Sequence, residues 1–359
     1  MVDFDFLAVT GHAKFVSEFR EHVCEKLVDL DKELVNAAML GNSQIRDCEL
    51  EKAVKSYQTG LSMCHKDRRD PNDPQKLDIE GNLARAYLLM GRAKDARDIF
   101  RRVVTGTSSP KGTILEANWT IRLGEAEKLL GNYEEARKHF LFANEVLVKY
   151  QYDRWRILAI SDLGEIALIH GELEEAKGFF HGALELLQAS ANANNHYGTA
   201  VCWYKLGLIA HLQRDFEEAK RYYTQSLALN IKPTMYTTHI KAGILAFQVG
   251  SSLEAVDQLT RGIALCKEIM LCSSKTLEAQ MQLALGCFVN GLKKDATEHY
   301  RELFGKLKTL QLKGAVDALV LDLKLVELIP EERRPTLDIV NKFKVKEQGN
   351  KHPFMGIFS

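Results

Sequence analysis

The stretch nearest to a chemical motif is Gly106-Thr-Ser-Ser-Pro-Lys111-Gly112-Thr113. Glycines, a lysine and hydroxyls this close together could cradle a phosphate on backbone N–H groups. The final Gly and Lys are transposed, however, and the segment leaves a helix rather than a strand, so it reads as an ordinary loop. Eleven histidines include His139, His181 and His299, all at helical positions beside an aromatic residue, where packing or surface roles outweigh metal ligation. Cys64-His65 has no nearby ligand partner, and Cys266 and Cys272 lack zinc-knuckle spacing. No Gly-x-Ser-x-Gly or His-Glu-x-x-His signature occurs. The residues therefore point away from an enzyme, and to no cofactor and no metal.

What would position such residues is a repeat. Leu123-Gly124, Gly131-Asn132-Tyr133-Glu134-Glu135-Ala136 and Phe140 recur as Leu163-Gly164, Gly171-Glu172-Leu173-Glu174-Glu175-Ala176 and Phe180. The register extends to starts at Leu40, Leu83, Leu206, Ala242 and Leu283, so seven units cover about residues 30–305. A period of this size marks stacked helical hairpins. Small residues (the Gly of Leu-Gly, then Ala136, Ala176 or Ala219) alternate with large ones (Phe100, Phe140, Phe180, Tyr223, Tyr300), the pattern by which two helices interlock. A glycine ends the first helix in most units, and carboxylates begin the second at the favourable end of its dipole.

The division expected is 1–30, an N-terminal capping segment within a helix Phe15 to Leu34; 31–305, the solenoid; 306–330, a C-terminal capping helix; and 331–359, a helix or tail. The amphipathic stretch Ala315–Ile329, stopped by Pro330, is expected to cover the last hairpin. Lys342, Lys344 and Lys346 and the apolar end His-Pro-Phe-Met-Gly-Ile-Phe-Ser form either a solvated tail or a docking segment. Lys+Arg and Asp+Glu are both 48, which argues against nucleic acid as partner. No apolar run is long enough to span a membrane. Seven cysteines at irregular positions suit a reducing compartment, cytoplasmic with the nucleus as alternative.

The Leu-Gly … Tyr … Ala … Phe spacing resembles the tetratricopeptide-repeat family over about three quarters of the chain, with a unit near 40 residues instead of 34. The longer unit is similar to that of kinesin light chain, Pins-type adaptors and bacterial peptide-sensing regulators. The resemblance implies an all-α, right-handed superhelical solenoid that binds partners on the concave face of its first helices. Projected there are Asn82, Arg85, Asn118, Arg122, Tyr204, Lys205, Lys241, Phe247 and Phe288, together with Leu88, Glu165, Leu168, Leu208 and Met281. The expected groove is polar and cationic at one end, apolar and aromatic at the other. The carboxylate-clamp positions of chaperone-binding relatives read Ala38, Asn42, Asn82, Asn118 and Arg122, without either lysine, which disfavours that ligand. The leading reading is a non-catalytic scaffold or adaptor holding a peptide or partner protein in the groove; a peptide-responsive sensor controlling an effector is the alternative.

Overall fold

The computed structural model describes residues 30–340 apart from 48, 67–69, 108–110, 190–195, 273–276 and 337–338. The helix expected from Phe15 thus lies outside the described residues up to Leu30, as does the tail beyond Val340. Among the described residues there are fifteen α-helices and no strand. Fourteen pair into seven hairpins: α1 (Leu30–Arg46) with α2 (Leu50–Lys66), α3 (Pro74–Leu89) with α4 (Ala93–Thr107), α5 (Ile114–Leu129) with α6 (Tyr133–Lys149), and α7 (Asp153–His170) with α8 (Leu173–Ala189). The remaining pairs are α9 (His196–Leu212) with α10 (Phe216–Ala228), α11 (Lys232–Gln248) with α12 (Ser252–Cys272), and α13 (Leu277–Val289) with α14 (Lys293–Leu310). The fifteenth is α15 (Lys313–Glu327), followed by a 3-10 turn at Glu331–Arg333.

Local chemistry sets the hairpins. Asp73, Thr113 and Asp215 cap helix N-termini, each accepting a backbone N–H three residues on. Gly91, Gly131, Gly171, Gly250 and Gly291 turn the chain between helices at positive φ. In the fifth hairpin Arg214 takes that conformation at φ 64°. Within hairpins the fit is tight: a Cβ on Gly124 would meet the Phe140 ring at 2.7 Å, and one on Gly207 the Tyr223 ring at 2.6 Å. Ala53, Ala96, Ala136, Ala176, Ala219, Ala255 and Ala296 are all fully buried beside these rings. First helices of successive hairpins also touch one another, α9 with α11 and α11 with α13 among them, and so form the inner wall of the solenoid.

The end of the chain departs from expectation. Residues 306–310 complete α14 rather than belonging to a cap. The final helix does touch α13 and α14, yet it also reaches back to α5, α7 and α9, crossing the inner face. The reason is visible in its composition. Val316, Leu319, Leu323 and Val326 lie on one side and Leu321 and Leu325 on the other, all buried, while Lys324 and Glu327 face solvent. A helix with a buried arc this wide needs walls on more than one side, and the end of one hairpin offers only one.

Two glycines test the packing against each other. Gly124→Ala should destabilise by about 1–3 kcal/mol through overpacking against Phe140. Gly178→Ala in α8, with nothing within 4 Å of the added Cβ, should stabilise by about 0.5–1 kcal/mol through helix propensity. Urea midpoints of the two variants read both signs directly.

Candidate functional site

The inner wall is laced by charge, helix to helix. Lys128 on α5 binds Asp162 at 2.5 Å and also Glu165, both on α7. Glu165 in turn meets Lys205 of α9 at 2.7 Å. Burial opposes the Lys128 charge, but the two carboxylates outweigh it and raise its pKa. Lys128 and Lys205 likewise overcome burial at Glu165 and hold its carboxyl below the usual range, whereas burial pushes Asp162 up. At the far end Lys241 of α11, fully buried, binds Asp322 of α15 at 2.5 Å. Gln282 of α13 joins them, accepting from Lys241 at 3.2 Å and donating to Asp322 at 2.7 Å.

α15 is fastened at both ends. Its first turn sits so close to α5 that a Cβ on Gly314 would collide with the Lys128 carbonyl oxygen. The Tyr133 hydroxyl donates to Asp317, and Lys94 donates to Gln311 just ahead of the helix. Near its last turn, Gln248 Nε2 donates to the Leu325 carbonyl at 2.8 Å, beside the bond that this carbonyl accepts from the Leu328 N–H at 3.2 Å. Gln248 Oε1 is 2.7 Å from His211 Nε2, and Nδ1 lies 3.1 Å from the Tyr223 hydroxyl. With the Gln248 amide spent on Leu325, its oxygen accepts, so the neutral imidazole carries its proton on Nε2. Arg334 closes the end with bonds to the Glu327 and Ile329 carbonyls.

Between α15 and the inner wall lies a cavity of 320 Å³. Leu88, Leu168, Leu208, Met281 and Leu321 give it apolar walls, and Lys128, Glu165, Lys205, Glu278 and Asp322 give it charge.

The residues projected from the sequence divide accordingly. Tyr204 and Lys205 line the cavity, and Lys241 grips α15 beside it. Phe288 is buried with its ring edge-on to Tyr300 at 6.1 Å, and Phe247 is partly buried against the same core. Asn82 gives its amide to Asp78 of its own helix at 2.9 Å. Arg122 is held by Glu125 at 2.6 Å, and Arg85 and Asn118 are half-buried. Asn42, a clamp position, accepts from the Tyr57 hydroxyl at 2.7 Å. Under α15, therefore, the cationic residues Lys205 and Lys241 are paired and a helix of the chain lies over them. Sequence reading passed over Lys128, Glu278 and Gln282. The repeat register could have found all three, since Lys128 stands five residues after Leu123, Glu278 five before Leu283 and Gln282 one before it.

Elsewhere, Gly112 and Thr113 of the glycine-rich stretch start α5: the Gly112 N–H donates to Glu116 at 2.6 Å, and Thr113 caps the Glu116 N–H. His139 is half-buried, its pKa lowered chiefly by burial. Among the described residues no group of three His, Cys, Asp or Glu is placed to hold a metal ion, and no helix is long and apolar enough to cross a membrane. Cys64, Cys202, Cys266 and Cys287 are buried free thiols, and burial pushes Cys202 up to about 12.

Tetratricopeptide-repeat family models match residues 155–232 and 82–105. No curated protein matches the sequence. A Rap protein complexed with Competence and Sporulation Factor superposes with a TM-score of 0.62 at 15% identity, over 91% of this chain and 95% of that one. The Rap conjugation gene regulator of plasmid pLS20, in complex with the Phr* peptide, gives 0.58 at 16% identity over 85% and 78%. A chain of the APC/C hetero-tetramer Cut9-Hcn1 gives 0.53 at 17% identity over 78% and 47%. At these identities the likeness is one of fold.

Two outcomes follow for the fastening of α15. Asp322→Ala leaves a buried ammonium without its anion and should cost about 3–5 kcal/mol, whereas Lys241→Met with Asp322→Leu should recover most of that loss; chemical denaturation compares them. His211 is pushed from 6.5 down to about 4, by burial first and Lys241 next, against its bond to Gln248. The unfolded chain therefore takes up a proton that the folded state refuses. Stability is complete above about pH 6.5 and falls towards pH 4 by roughly 2–3 kcal/mol. Urea midpoints across that range should show a shallower slope for His211→Gln, with His239 and His139 retaining part of it.

Proposed function

The chain is a tetratricopeptide-repeat protein, and from that premise we propose that it is a non-catalytic scaffold whose inner face binds a helical segment of a partner protein. The observation that carries the reading is α15, a helix of the chain itself lying along that face, held by Asp322 on Lys241 and by Gly314 against α5. It indicates what the seat accepts: small residues at one end, leucines and valines around the helix, and a carboxylate directed at Lys241. A partner segment with this pattern would replace α15 and meet Tyr204, Lys205 and Lys241, with Phe247 and Phe288 behind them. Asn82, Arg85, Asn118 and Arg122 are proposed as contacts on the inner side of the second and third hairpins. The two Rap structures of the same fold, one with Competence and Sporulation Factor and one with the Phr* peptide, support the expectation of a bound segment.

A second reading, a sensor, draws on the span of α15. One helix touches α5, α7, α9, α13 and α14, so replacing it would release hairpins from one another and change the pitch of the solenoid. A reducing compartment, cytoplasmic before nuclear, suits the buried thiols in either reading.

The test uses the full chain and a fluorescent synthetic peptide with the sequence Lys313–Glu327. A tethered helix competes at an effective concentration of about millimolar order, so the unaltered protein should bind the peptide weakly. Gly314→Val, which pushes α15 off the Lys128 carbonyl, should bind it at least about tenfold more tightly. Equal, weak binding by both proteins would contradict the proposal.

A further inference from the structure

The cavity beneath α15 is lined by one carboxylate that no side chain among the described residues pairs with. Three ammonium groups, on Lys128, Lys205 and Lys241, stand among four carboxylates, on Asp162, Glu165, Glu278 and Asp322. Lys128 is taken by Asp162 and Glu165, Lys205 by Glu165, and Lys241 by Asp322. Glu278, at the first turn of α13, has no hydrogen bond or ion pair among the described residues, and its exposed side chain lines the cavity. Lys205 and Lys241 are the cations that bear on its charge, against Glu165 and Asp322.

We propose that this cavity is a binding site for a small organic cation, an ammonium or guanidinium group on an apolar stem, with Glu278 as its counter-charge. The surroundings favour an organic cation over a metal ion. Leu277 and Met281 flank Glu278 in sequence and in the lining, and a calcium ion takes six to eight oxygen ligands. Aromatic faces are at hand as well. Tyr204 lines the cavity, and its ring already carries one ammonium, Lys205 Nζ at 5.4 Å from the centroid. A carboxylate beside a tyrosine ring holds ammonium groups by charge and by cation–π attraction. The volume, 320 Å³, falls at the small end of ligand sites, which begin near about 300 Å³. Leu321 and Ala318 of α15 close one side, so the site is complete with the helix seated and does not rest on its displacement.

Two sources could supply the cation, a free amine or a basic residue of a peptide, and calorimetry with agmatine, isoamylamine and acetyl-Leu-Arg-amide separates them. Isoamyl alcohol serves as the neutral control. One-site saturable binding is expected for at least one cationic probe and none for the alcohol. Saturation by the dipeptide alone assigns the cation to a peptide side chain, and saturation by the amines assigns it to a free ligand. Glu278→Gln should weaken binding by about tenfold or more with an unchanged melting temperature. Ala318→Phe, which fills the cavity from α15, should weaken it without touching the carboxylate. Failure of all three cations to saturate at about 10 mM, or equal affinity in Glu278→Gln, would overturn the proposal. Binding of agmatine by a protein that fails to capture the Lys313–Glu327 peptide would leave this site standing and remove the inner-face reading.

Discussion

A lysine with no exposed surface cannot stand in a protein interior without an anion, and Lys241 is such a lysine. The carboxylate that answers it, Asp322, is on α15, some eighty residues along the chain. Their pairing sets where the final helix must lie. Around it the other fastenings become possible: Gln282 bridging the pair, Gln248 reaching the Leu325 carbonyl, and His211 locked in one tautomer behind Gln248. Buried pairs of this kind add little net stability, but breaking one is costly. The pair therefore acts as a register device, holding α15 in one seat among several that its wide apolar surface could fill.

That seat changes what the solenoid offers. A row of hairpins packs each unit only on its neighbours, so its ends can move with little resistance. With α15 across the inner face, α5 and α14 are tied to one element, and Leu310 and Leu312 also come up against Gly91 of the second hairpin turn. The large core that includes α15 gathers residues from Ala93 to Val340. Coupling of distant repeats here runs through one helix and its cavity rather than along the chain of hairpins.

The hairpins were legible in the sequence because their constraint is local and repeated. Gly124 facing Phe140 and Gly207 facing Tyr223 need the same two residue sizes at the same spacing, and seven copies reinforce one another. Arg214 shows the limit: the turn geometry persists where the glycine does not. The wall was half legible. Tyr204, Lys205, Glu165 and Leu168 followed from the register, but their charges were read as free to meet a ligand. Lys205 and Glu165 meet each other across two hairpins, and Lys241 meets a residue outside the repeats altogether. Such pairing depends on the pitch of the solenoid, which no single unit encodes. For α15 the signal was its composition: valines and leucines on two opposite sides of the helix exceed what a one-faced cap needs.

The central claim is that α15 is held on the inner face of the solenoid in solution. Amide hydrogen exchange read by mass spectrometry over residues 313–327 tests it most directly. Protection matching that of α5 and α11 is the predicted result, with Asp322→Ala lowering it in α15 while α5 and α6 stay protected. Exchange of residues 313–327 as fast as that of the same segment in a free peptide would contradict the account.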